Sequence, residues 1–82
     1  MPHVIVKMHA GRSPEVKQKI ADAVTKAVLA ETGNREETVS VSIEDFAPAE
    51  WMEKVYGPDI EHGPGELLKR PGYGPMAAKA GA

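Results

Sequence analysis

Pro2 and Arg12 are the residues whose types and places most directly offer chemistry in this chain. If Met1 is removed, Pro2 carries a free secondary amine at the start of an alternating segment. A free α-amine has a reference pKa of about 7.7–8.0, close to the range where a base can work at neutral pH. At pH 7 an amine of pKa near 7.9 is about one-tenth free base, and lowering it to about 6.5 makes it about three-quarters free. That change corresponds to about 1.9 kcal/mol, which apolar walls and a nearby cation can supply. Arg12 brings a permanently charged planar fork that can hold a carboxylate bidentately or steady an enolate oxygen. Base and cation together suit proton transfer between carbon and oxygen beside a carbonyl. Each residue also has an ordinary reading: proline commonly opens a strand, and a loop arginine is commonly solvated.

Two strands and a helix must position these groups. Residues 2–9 alternate, with Val4, Val6 and Met8 on one face and His3, Ile5, Lys7 and His9 on the other. Gly11-Arg12 forms a loop, and Ser13-Pro14-Glu15 is a helix start, with a capping hydroxyl, a proline at the first position and an acid at the dipole's positive end. Val16, Ile20, Val24, Ala27, Val28 and Glu31 then predict one amphipathic helix, with Lys17, Lys19, Asp22 and Lys26 largely on its wet face. It should end at Gly33-Asn34. Thr38 to Asp45 alternates again, so strand, long helix and strand make a βαβ unit with parallel strands. One helix covers one sheet face only, which predicts at least a dimer with a shared four-stranded sheet. A short helical turn follows over 48–56 and should stop at Gly57-Pro58. A further turn fits 66–69, residues 71–75 read as irregular, and 77–82 as a frayed end.

Composition narrows the partners. Eighty-two residues suit one domain, without cysteine and therefore without disulfides or thiolate metal sites. The net charge of −2 argues against nucleic acid as the main partner, and no apolar run approaches the roughly 20 residues of a membrane span. His3, His9 and His62 are scattered rather than spaced as metal ligands, and the glycines make no phosphate loop. A cytoplasmic protein without metal or cofactor is the expectation.

Pro2, Gly11-Arg12-Ser13, the long helix, the second strand and Trp51 occur in the order and spacing of the tautomerase superfamily. Over roughly residues 2–56 the chain resembles 4-oxalocrotonate tautomerase-like proteins. The Lys69-Arg70-Pro71-Gly72-Tyr73 segment resembles the end of a longer, dimeric bacterial subgroup. The resemblance implies an α/β (α+β) fold in a single tautomerase-like domain, with a core at 2–56, an extension at 57–76 and a tail at 77–82. It implies a cofactor-independent keto–enol tautomerase with Pro2 as general base and acid, Arg12 as substrate-binding cation and Trp51 as an aromatic wall over the proline. Ser40 stands where the family carries a second functional arginine. A serine donates a hydrogen bond but no charge, so a small 2-oxo monoacid, such as an arylpyruvate enol, fits better than a diacid. The alternatives are hydration or dehalogenation of a small unsaturated acid, or a non-catalytic oligomeric interaction module. A homodimer is expected over a hexamer, because residues 58–73 could cover the surfaces through which shorter relatives stack.

Overall fold

In the computed structural model, which describes residues 1–80, the chain packs as two compact units divided between Pro48 and Ala49. The first is the expected strand–helix–strand. Strand β1, His3–His9, and strand β2, Ser40–Phe46, are joined through helix α1, Pro14–Thr32, and pair in parallel from His3↔Ser40 to His9↔Phe46. Helix α1 begins and ends where its capping residues dictate. The Ser13 hydroxyl accepts the Val16 N–H at 3.2 Å, and Pro14 follows in the first turn, where its missing N–H costs nothing. At the other end Gly33 adopts φ 71°, a left-handed conformation that suits glycine, and its N–H reaches the Leu29 carbonyl at 3.0 Å.

The helix is turned slightly from the expected face. Lys17, Ile20, Ala21, Val24, Thr25, Val28 and Leu29 form the half-buried stripe, whereas Val16, Ala27 and Glu31 are exposed. Lys17 causes much of the difference. Its ammonium pairs with the Asp45 carboxylate on β2 at 2.6 Å, so its aliphatic stem lies along the inner face. Asp45 thereby marks the face of β2 that looks toward α1, and alternation places Val41 and Ile43 beside it. Register adds Val4, Val6 and Met8 to that layer. His3, Ile5, Lys7, His9, Ser40 and Phe46 lie on the opposite face, where Ile5 is 52% exposed. Strand β2 begins two residues later than the pattern predicts. Residues Glu36–Thr38 form a 3₁₀ turn, and the Thr38 hydroxyl caps it by donating to the Arg35 carbonyl at 2.7 Å.

The second unit departs further from expectation. After a 3₁₀ turn at Pro48–Glu50, the helix does not stop at Gly57-Pro58 but runs as a π-helix over Met52–Glu61, with Pro58 inside it. In an α-helix Pro58 would crowd the carbonyl four residues back. The wider i→i+5 turn accommodates the ring, and the His62 N–H closes the coil on the Gly57 carbonyl at 3.1 Å. Residues 66–69 form no helical turn but only a bend at Leu68 and Lys69, and Leu68 is 84% exposed. Gly74–Ala80 form helix α2, where the sequence pattern predicts turn and frayed end. Pro75 suits a helix start and the alanines after it are strong helix formers. The end of the expected tail, residues 81–82, lies outside the described residues.

Val55 and Tyr56 are the buried hydrophobic residues among those described, at 3% and 0% exposure. The Tyr56 hydroxyl donates to the Tyr73 carbonyl at 2.7 Å and accepts the Met76 N–H at 3.0 Å. Its ring meets that of Tyr73 edge-on, with centroids 5.2 Å apart. Gly74, at φ 71°, passes so close that a Cβ there would lie 2.8 Å from the Tyr56 ring.

Candidate active site

Pro2 sits immediately before β1, half-buried, with its carbonyl accepting the Ser40 N–H at 3.1 Å. This bond sets the first rung of the parallel ladder and places Ser40 beside the head of the chain. The Ser40 hydroxyl lies 2.7 Å from His3 Nδ1, its partner in register. Pro2, His3 and Ser40 therefore share one corner of the sheet. The corner offers a hydroxyl and an imidazole, both exposed, within a residue of the proline ring. Met1 projects away at 99% exposure.

Arg12 lies at the other end of β1. It is exposed, and its Nη1 makes a long 3.4 Å contact with the His9 carbonyl, which holds the guanidinium near the strand's exit. The seven residues of β1 at about 3.3 Å each separate the two ends by roughly 23 Å. An arginine side chain cannot cross that distance. Pro2 and Arg12 of one chain are therefore not brought together, whereas Pro2 and Ser40 are.

Trp51 belongs to the second unit, where it leads into the π-helix. It is half-buried, and its indole N–H donates to the Tyr73 hydroxyl at 2.8 Å. Sequence reasoning missed this partner and also the His3–Ser40 pair. The two bonds span 22 and 37 residues, and only strand register or tertiary packing reveals them. A groove lined by Asp22, Lys26 and Glu36 on the helix side of the first unit contains none of the four candidate residues. Among the described residues no cluster of three His, Cys, Asp or Glu side chains could hold a metal, and no helix is long and apolar enough to cross a membrane.

A parallel βαβ unit headed by proline, with an arginine loop before its helix, makes a small α+β fold. Comparison with known proteins makes the assignment specific: the Tautomerase enzyme family profile matches residues 2–57, and the chain belongs to that family. It is 47% identical over 78 residues to a probable tautomerase of Xylella fastidiosa (strain 9a5c), covering 95% of each chain. It is also 47% identical over 46 residues to 2-hydroxymuconate tautomerase of Bacillus subtilis (strain 168), covering 56% of this chain and 74% of that one. Among solved structures it resembles N2, a member of the 4-oxalocrotonate tautomerase family, with 27% identity and a TM-score of 0.58 over 89% of this chain and all of that one. The protein is a tautomerase, and so an isomerase.

Proposed function

We propose that the protein is a cofactor-independent keto–enol tautomerase of small 2-oxo acids, in which the Pro2 amine, freed by loss of Met1, carries the proton. One observation carries this reading: Pro2 is fixed by the Ser40 N–H at the head of β1 while Met1 is 99% exposed. Removal of that methionine forfeits almost no packing and leaves a positioned ring nitrogen. In the ketonising direction, the neutral amine takes the enol O–H proton and returns one to the adjacent carbon. The C=C bond becomes C–C as C–O becomes C=O, with no net change at the nitrogen. An amide nitrogen, with Met1 attached, has no basic lone pair and cannot do this.

Charge stabilisation falls to Arg12 in a second copy of the chain. The roughly 23 Å between Pro2 and Arg12 along β1 requires it if both serve one site. The exposed sheet face and the absence of any fully buried residue in the first unit support the same conclusion, and a homodimer sharing a four-stranded sheet satisfies both. Ser40 supplies a hydrogen bond and no charge, so the pocket suits one carboxylate and an apolar or aromatic body, as in an arylpyruvate enol. Trp51, in the role that the family resemblance gives it, is the wall that keeps water from the amine.

Intact mass of the purified protein tests the first requirement, with loss of one methionine expected. Pro2→Ala then replaces the secondary amine by a primary one. Turnover of an arylpyruvate enol should fall by about 10²-fold at neutral pH, in the range of general-base catalysis. Full retention of Met1, or an unchanged rate in Pro2→Ala, removes the amine from the mechanism.

A further inference from the structure

We infer that Tyr73, outside the segment matched by the family profile, is a positioning residue that fixes the Trp51 indole and so sets preference for aromatic substrates. The inference rests on the proposed role of Trp51 as a wall of the site. It begins from an incompatibility. An indole has one hydrogen-bond donor and no acceptor, and a surface meant to exclude water cannot leave that donor seeking water. Here the Trp51 N–H is occupied by the Tyr73 hydroxyl at 2.8 Å. The ring's polar edge is satisfied within the second unit, so an indole wall draws no water to that edge.

The post that holds the indole is itself rigid. Tyr56, at 0% exposure, grips the Tyr73 carbonyl at 2.7 Å and the N–H of Met76 in α2 at 3.0 Å. The two tyrosine rings meet edge-on at 5.2 Å and an interplanar angle of 70°. Gly74 is φ-positive and closely approached by the Tyr56 ring, which leaves the Tyr73 backbone little room to shift. A continuous chain of contacts therefore runs from α2 through Tyr56 and Tyr73 to the indole. The extension after the family-matched segment acts as a brace for one side chain.

Tyr73→Phe is a clean probe because it deletes one oxygen. The edge-on ring contact and the backbone carbonyl bound by Tyr56 both remain. Trp51 is the chain's one tryptophan, so its fluorescence reports this position alone. The variant should show red-shifted emission and greater acrylamide quenching without loss of the folded state. The kcat/KM ratio between phenylpyruvate enol and a short aliphatic 2-oxo acid enol should fall about three- to tenfold, the effect of one ordinary hydrogen bond, mainly through KM for the aromatic substrate. Trp51→Leu should collapse the same ratio further. If Trp51→Leu lowers the ratio and Tyr73→Phe changes neither ratio nor emission, the brace is overturned and the wall stands. If neither variant changes the ratio, Trp51 is not part of the site and the positioning role of Tyr73 falls with it.

Discussion

The two units of this small protein solve opposite problems. The first carries His3 and Ser40 on regular strands, with Pro2 and Arg12 at the ends of β1 and a capped helix beside them, yet no residue in it is fully buried. The second is irregular, with a π-helix, bends and a short terminal helix, yet it holds Val55 and the fully enclosed Tyr56. Regular secondary structure and a closed core do not coincide here. A two-stranded sheet under one helix has too few layers to enclose its side chains, however good its caps and alternation. An irregular segment can enclose a side chain if that side chain's polar atom is satisfied, as the Tyr56 hydroxyl is twice over. The regular unit leaves its candidate residues on open surface. The irregular one builds a rigid post.

This contrast can be broken most decisively by testing the proposed pairing of Pro2 with Arg12 of a second copy. Pro2→Ala and Arg12→Gln proteins should each be nearly inactive alone. Unfolded together and refolded as mixed dimers, they should recover about a quarter of wild-type activity, since half the dimers are mixed and each has one intact site. No recovery means that the two residues do not meet across a protomer boundary.

Stability should show the reverse ranking. Tyr56→Ala removes an enclosed ring and two hydrogen bonds, and should cost about 3 kcal/mol or more in denaturant unfolding. Val16→Ala, at a position 41% exposed in the first unit, should cost about 1 kcal/mol or less. Equal losses would erase the distinction between an open unit and a closed one.

The smallest effect concerns a surface pair in the second unit. A hydrogen bond from Lys54 to the Glu50 carboxylate, at 2.5 Å and reinforced by its charge, raises the lysine pKa above 10.5. A raised pKa in the folded state gives a contribution fully present below 10.5 and lost as pH climbs through the folded value. Because the ammonium is exposed to solvent, the melting temperatures of wild type and Lys54→Met should differ little at neutral pH. Any gap should close in alkali, and a gap that widens there would reverse the sign.

Much of the first unit was readable from local patterns. Ser13, Pro14 and Gly33 act through backbone groups within four residues of themselves, so the helix ends follow from chemistry that a sequence displays directly. Alternation located both strands for the same reason. The helix face was less legible because Lys17 counts as polar until its Asp45 partner, 28 residues away, draws its stem inward. The second unit misled local rules more often. Gly57-Pro58 is a stop signal for an α-helix, but a wider coil passes through it. The run after Gly74 resembles a loose end until Tyr56 binds the N–H of Met76.

By itself, then, the sequence determined the βαβ unit, its parallel strands, its family and the identity of the candidate proton carrier and cation, because caps, alternation and motif order are properties of neighbours along the chain. Tertiary structure alone decided that Ser40 stands with His3 beside Pro2, that Arg12 is a strand's length away, and that Trp51 is tied to Tyr73. Those relations depend on register and on contacts over 22 to 37 residues, where the free energy of packing rather than local propensity selects the partner.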